Sequence, residues 1–563
     1  MVALSLQCGL TVVFLVSLVL MGLCIAQLTI PAIAARLSVI AGVLTEWTVP
    51  TPGSGVSGLT LDPSGNCCWF LEYYGNKVGH LDPSTGIFQE WVIPTSLSNP
   101  YSIAITRVSG SLAVWGTEFA ADKVFLFYPQ SGSFSEYHLT GSNVGVTSIS
   151  IEPSGGQVRV WFSESFRNVN GEAIYDPNTR NVTLYEDEFP AAVGGGAYGV
   201  YATYNSTWFA GFSALVRWDR ASDKYTIWPL PVHGYSVGRF ITVDQEGEPW
   251  YTQGVTSGNS TDNYVGVLRG NSTLEEWLIP SNGADPRGIS VNPLTQQPWI
   301  AEESQQAGNG TIASLDAYGG GTLVSSVPTM VPAGGTPTVL SPALSQIAAY
   351  NHTVTPTTSV ISGSIDGRFT GYSLGYSLPH EAIVDSSGVV WISEPGTNKI
   401  ARLSLSPGFA LRPSAPIVSL SQGGTETITI TGVSISGYKG QVALTTTMVP
   451  QGVSASSFSP NLLNITSAGT ASTQFTLHID PEASAGTNMV TIQGTDGTNI
   501  HVIGLILMIT NSTATALTTL SRPTRPSIRG LMWESITAVT AIALAALEIS
   551  RRRKRHIRST PVS

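Results

Sequence analysis

The 563-residue sequence has only 11% charged residues but 58 glycines and 34 prolines, a mixture that suits short strands joined by tight turns and excludes an extended disordered chain. Its net charge is −10, and six basic residues fall in the last thirteen positions, leaving −16 for the rest; so acidic a body excludes nucleic acid as a partner, because phosphate recognition needs a basic patch. Of the four cysteines, Cys8 and Cys24 lie in the apolar start and Cys67 and Cys68 are neighbours, which excludes a disulfide framework or a zinc site by spacing.

In chain order, residues 1–35 read as a signal peptide or N-terminal anchor. An uncharged run covers 10–28 and Ala32-Ile33-Ala34 follows as a cleavage-like site. Next comes a repeat. An aromatic strand recurs at Trp69, Trp115, Trp161, Trp208, Trp250, Trp299 and Trp391, with spacings of 46, 46, 47, 42, 49 and 92 residues. The first period divides into strands Leu59–Leu61, Cys68–Leu71, Lys77–Leu81 and Phe88–Ile93, separated by turns such as Asp82-Pro83-Ser84-Thr85-Gly86. Four antiparallel strands per period of about 45 residues make a propeller blade.

The predicted fold class is therefore all-β, with a β-propeller over 44–405. Since 92 is two periods of 46, the count is eight blades, or seven if 329–375 are an insertion instead of a blade. The segment Leu44–Pro50 matches a fourth strand, and the last unit stops after its third at about Leu405, so the N-terminal strand is expected to complete that blade and close the ring. Beyond Pro413 the period disappears. Alternating strands at Glu426–Thr431, Gln441–Thr446, Ser472–His478, Met489–Gln493 and His501–Met508 predict a β-sandwich over 413–510.

Residues 511–529 read as a polar stalk and 530–550 as a transmembrane helix, making hydrophobic helices the expected termini. The apolar run Leu531–Ile549 would span about 28 Å as a helix, close to the bilayer's hydrocarbon thickness. The basic tail 551–563 is expected in the cytoplasm, which leaves the body outside a cell membrane. Sequons at Asn181, Asn205, Asn259, Asn271, Asn309, Asn351, Asn464 and Asn511 are possible glycosylation sites.

The stretches LDPSGNCCWFLEYYGNKVGHLDPSTGIFQEWVIP and EAIVDSSGVVWISEPGTNKIARLSL resemble the virginiamycin B lyase (streptogramin lyase) family of propellers. The stretch GYKGQVALTTTMVPQGVSASSFSPNLLNIT resembles an Ig-like module of prokaryotic surface proteins. The first resemblance implies a Mg²⁺-dependent carbon–oxygen lyase that opens a cyclic depsipeptide lactone by elimination, with His380 as the candidate base and Glu394 as the candidate metal ligand. His380 begins a first strand and Glu394 ends the next, so both belong to loops on one face of a blade. The sequence departs from the family's pattern at Leu378, where a second acid is expected, and near Gly335-Thr336-Pro337, where the preceding blade would carry a histidine.

Both candidates have a structural reading as well. A glutamate at the place of Glu394 recurs at Glu72, Glu118, Glu164 and Glu302, as a repeated inter-blade hydrogen bond would require. A ring of such carboxylates could also attract a cation. Tyr73, Tyr74, Tyr101 and Tyr198 are loop aromatics able to stack on sugars. These residues leave two expectations, a cell-surface protein that binds a glycan, peptide or small molecule at the propeller mouth, or the lyase.

Overall fold

The computed structural model describes residues 41–511 apart from 64–67, 153–156, 235, 256–261, 271–272, 282, 304–309, 318–321, 326–328, 333–335, 341–342, 348, 363, 367–368, 416, 468 and 498. The described residues form strands, with two 3-10 turns at Ala191–Val193 and Gly375–Ser377. No helix among them is long and apolar enough to cross a membrane; the expected segments 10–28 and 531–549 lie outside the described residues.

Seven sheets make a propeller. Blades 1 to 5 each use four consecutive strands, within 56–92, 100–138, 146–188, 197–229 and 237–278. Blade 6 takes three strands from 286–315 and its fourth from Phe369–Ser373, and blade 7 takes three from 382–405. Its fourth strand is Ala41–Thr48, which pairs antiparallel with Lys399–Leu405 from Gly42↔Leu405 to Thr48↔Lys399. The expected closure of the ring is thus present. First strands of neighbouring blades touch one another all the way round, so they line the axis.

The count is seven, not the favoured eight, as the alternative with 329–375 as an insertion requires. The interval that looked like a blade without its tryptophan is a belt inserted between the third and fourth strands of blade 6. Its seven short strands begin at Thr322, Thr329, Thr336, Ala343, Tyr350, Thr357 and Ser364, a step of seven residues each time. They add a fifth, outermost strand to blades 5, 4, 3, 2, 1, 7 and 6 in turn. The belt passes close over hairpin turns, where Val354 N–H donates to Gly86 O at 2.8 Å and Ile347 N–H to Gly132 O at 2.9 Å. Both glycines have positive φ, and a Cβ on either would run into the belt's backbone carbonyl.

The tryptophans that mark the period are packing residues. In six blades the second-strand Trp stacks on a fourth-strand aromatic, as in Trp47–Trp391 at 6.0 Å, Trp69–Trp91 at 5.7 Å and Trp208–Trp228 at 5.3 Å. The third strand sets a cation over several stacks. Arg217 lies 5.5 Å from both Trp208 and Trp228, and Arg402 lies 5.6 and 5.7 Å from Trp47 and Trp391.

After the propeller, Gly408–Pro413, Thr425–Ile435, Thr470–Ile479 and Val453–Ala455 form one sheet, and Ile417–Ser421, Gly440–Met448, Leu462–Ile465, Gly486–Thr495 and Ile500–Thr510 another. Their inward residues, among them Ile430, Val442, Phe475, Leu477, Ile492 and Leu505, make one apolar core, so the module is a β-sandwich. Arg412 of its first strand pairs with Glu246 of the propeller, while Ala410 and Ile435 join the blade 7 core beside Leu403 and Leu405.

A belt strand satisfies the outer edge that each blade would otherwise offer to another chain. Replacing 322–366 by a short linker is therefore expected to lower the melting temperature and to cause concentration-dependent aggregation by light scattering. An equally stable, monodisperse variant would show that the seven edges need no cover.

Candidate functional site: a ring of seven residues at the channel mouth

Each first strand approaches the axis through an irregular opening. In blades 1 to 6 the register slips between Val56 and Leu59, Pro100 and Ile103, Val146 and Ser148, Ala197 and Gly199, Gly238 and Ile241, and Pro286 and Ile289. A bulged residue leaves the ladder, and its side chain is re-aimed. The blades can be superposed on the pairs that Leu59, Ile103, Ile149, Val200, Ile241, Ile289 and Ala382 make with the residue after each marker tryptophan. Two residues back from those pairs lie Ser57, Tyr101, Thr147, Tyr198, Arg239, Arg287 and His380. The residue two places earlier again is left-handed at Gly55, Asn99, Gly145, Asp285 and Leu378. Its carbonyl accepts the N–H of the residue that follows the second strand in blades 1, 2, 3 and 6, at Tyr73, Phe119, Ser165 and Glu303. Those followers form a rim above the ring.

The ring residues meet across the channel. His380 Nε2 lies 3.0 Å from the Tyr101 hydroxyl, although blade 1 stands between their blades. The two rings pack edge to face at 5.0 Å, and Phe240 adds a second edge at 6.0 Å. Arg239 is 1% exposed and stacks over Tyr198 at 5.1 Å. Asp285 bridges the two arginines, with Oδ1 3.1 Å from Arg239 and Oδ2 3.0 Å from Arg287. Glu303 Oε2 lies 2.6 Å from Arg287 Nε.

Charge and aromatic surface divide the mouth between them. In blades 1 to 4 ring and rim are mainly aromatic: Tyr73 and Tyr74 meet at 4.9 Å, Tyr101 and Phe119 at 5.8 Å, Phe119 and Phe166 at 5.6 Å, and Tyr198 and Phe212 at 5.8 Å. In blades 5 to 7 they are charged or titratable. Burial, then the positive Arg287 and Arg239, push the His380 imidazole down to about 3, so it is neutral at physiological pH. Burial pushes the neighbouring Glu381 carboxyl up to about 8 and holds Tyr101 above its usual range.

Glu394 lies in a different, repeated network. With Glu72, Glu118, Glu164 and Glu302 it ends a second strand and is buried. A third-strand lysine next to it pairs with a fourth-strand glutamate: Lys77–Glu90 at 2.7 Å, Lys123–Glu136 at 3.2 Å and Lys399–Glu46 at 2.8 Å. The fourth-strand glutamate also receives a hydroxyl from the preceding blade, Thr51 to Glu90 at 2.9 Å and Thr95 to Glu136 at 3.0 Å. Burial, then a neighbouring carboxylate, raises Glu72, Glu118, Glu164 and Glu394 to about 8, and burial raises Glu302 to about 7. These carboxyls form a buried girdle beside the fourth-strand glutamates that bond to the preceding blade, not an exposed ring facing a cation.

The structure thus places His380 in the mouth ring and Glu394 in the girdle, with separate partners. Glu394 Oε2 accepts from Thr397 at 3.1 Å, and His380 Nε2 is occupied by Tyr101 in either tautomer. Among the described residues no three His, Cys, Asp or Glu side chains gather to hold a metal ion, and the cations nearest the ring are Arg239 and Arg287. This donor set does not fit Mg²⁺. The position expected to carry a histidine in the preceding blade is also corrected. That blade begins at Pro286, so its ring residue is Arg287, and Thr336 and Pro337 lie in a belt strand. Sequence reasoning missed Arg239, Asp285, Arg287 and Glu303. The signal was there, but hairpins of unequal length between the first two strands hid the common position. The sequons at Asn181, Asn205, Asn351, Asn464 and Asn511 are exposed; Asn259, Asn271 and Asn309 lie outside the described residues.

Residues 32–310 match the model of the virginiamycin B lyase family. No curated protein matches the chain. Among solved structures, a luciferin-regenerating enzyme is similar at 10% identity and a TM-score of 0.27, over 51% of this chain and 94% of that one.

The girdle makes stability depend on pH with a definite sign. A carboxyl raised from 4.5 to about 8 by folding, as at Glu118, contributes stability that is fully present below about 4.5 and is lost as pH rises to about 8. Glu118→Gln is expected to remove one proton from that dependence, about 1.4 kcal/mol per pH unit inside the window. Urea unfolding between pH 5 and 8 should show the shallower slope; an unchanged slope would mean that Glu118 is ionised in the fold.

Proposed function

We propose that this chain, whose propeller belongs to the virginiamycin B lyase family, is a binding protein displayed outside the cell, with its ligand taken at the channel mouth. The observation that carries this reading is the set of partners around His380. Its Nε2 is held by Tyr101 across the channel, and two arginines occupy the ring positions of the preceding blades. A general base works best with a pKa near the operating pH; an imidazole held near 3 is a weak one. Two of the catalytic types expected from the family are absent, with Leu378 in place of the second acid and Arg287 at the ring position of the preceding blade, while aromatic and charged surfaces suited to recognition remain.

The apolar run 531–549 followed by five basic residues supports a membrane anchor with an inward tail and an outward propeller. The sandwich then acts as a spacer between bilayer and mouth, and the exposed sequons are compatible with that side of the membrane.

A cyclic depsipeptide lactone incubated with the full chain and Mg²⁺, then followed by chromatography, is expected to stay closed. Ring opening by the wild type that disappears in His380→Ala, with circular dichroism unchanged, would overturn the binding reading and restore the lyase.

A further inference from the structure

The mouth has a second property that its family likeness does not account for, the adjacency of a stacking surface and a positive site. Tyr198 stacks with Arg239 at 5.1 Å, and Tyr101 packs on His380 at 5.0 Å. One residue's width therefore separates ring-binding groups from anion-binding groups. Tyr74 and Phe166 continue the aromatic surface outward, each packed on a rim aromatic yet 73% and 51% exposed. Arg287 reaches the surface with 16% of its side chain exposed. Behind it Arg239 is 1% exposed, and its Nε has no hydrogen-bond partner among the described residues.

We propose that the mouth recognises uronic-acid residues of an acidic glycan, the pyranose face stacking on the aromatic arc and the ring carboxylate pairing with Arg287. This rests on the reading of the mouth as a binding site. A hexuronate carries a flat C–H face and a carboxylate on one rigid unit, which matches the adjacency of Tyr101 and Tyr198 with the arginines. An acidic peptide carries its carboxylates on aliphatic stalks with no ring face. Guanidinium forks recognise carboxylates in two-point geometry, and aromatic faces supply area at little cost in side-chain entropy.

Glu303 is the built-in stand-in for that ligand, since its carboxylate already lies against Arg287 at 2.6 Å. A ligand carboxylate must displace it.

The test is calorimetric titration of the full chain with trigalacturonate, its methyl ester and poly-glutamate. The expected result is saturable binding of trigalacturonate, with the ester and poly-glutamate weaker by about tenfold or more, the loss of roughly one charge-assisted contact. Glu303→Gln is expected to tighten trigalacturonate several-fold, an effect that a merely structural ion pair would not give, and Arg287→Gln to abolish binding. The exposed Tyr74→Ala and Phe166→Ala changes are expected to weaken it with the fold intact. Equal affinity for the ester or for poly-glutamate overturns the uronate proposal, as does failure to bind trigalacturonate. The mouth reading stands in those cases if a neutral glycan or peptide binds and is lost in Tyr74→Ala; it falls too if binding is indifferent to both aromatic changes.

Discussion

Everything at the axis depends on the pairing of Ala41–Thr48 with Lys399–Leu405. It joins two segments some 350 residues apart, and a latch reinforces it. Asn398 donates to Val49 O at 3.0 Å and Thr51 O at 2.9 Å, and accepts from Ser54 N–H at 2.8 Å. The same latch ties blade 1 to blade 2 through Asn76, which donates to Ile93 and Thr95 carbonyls and accepts from Ser98. The closing joint is thus chemically the same as an internal one. Only in a closed ring can Tyr101 of blade 2 and His380 of blade 7 share a hydrogen bond across blade 1. Closure is therefore a condition of the site as well as of stability, because loop-closure entropy must be met before any contact across the axis forms.

Closing the ring settles the blades' order but not their outer rims. Seven sheets leave seven outward edges, and each edge strand presents unpaired N–H and C=O groups. The belt meets this with one continuous segment whose period matches the blade count. Its seven short strands begin at steps of seven residues, one strand for each edge. Inside each blade, stacked tryptophans and a third-strand cation bind second strand to fourth, so a blade is stiff enough to hold its first-strand bulge in one geometry. The bulges, latches, girdle and belt are all repeated devices, and together they fix where seven variable side chains meet.

The repeated devices were the legible part of the sequence. Tryptophans at a period near 46 identify blades because packing demands one large aromatic at the same depth each time, and the recurring glutamates announced a shared structural task. The belt was not legible. Its strands are short, carry no tryptophan, and occupy an interval that happens to equal one blade. The ring was hidden for another reason: Ser57, Tyr101, Thr147, Tyr198, Arg239, Arg287 and His380 lie between 10 and 14 residues before their tryptophans, because the intervening hairpins differ in length. Only the strand registers bring them to one level. His380 was found through resemblance, while the arginines, which fit no expected pattern, needed the geometry.

The two arginines bear on two properties of the mouth at once. In a closed, largely buried ring, a cation placed beside an imidazole acts through a low-dielectric medium and is weakly screened. Arg287 and Arg239 therefore help to drive His380 toward the neutral, weakly basic form, and on the proposed reading the same guanidinium groups are the ones that take a carboxylate. A base and a dication site would need the opposite field, a local negative potential that raises the imidazole and holds the metal. Asp285 and Glu303 do not restore it, because each is committed to an arginine. One electrostatic arrangement thus works against proton abstraction at His380 and, on the proposed reading, suits a carboxylate ligand.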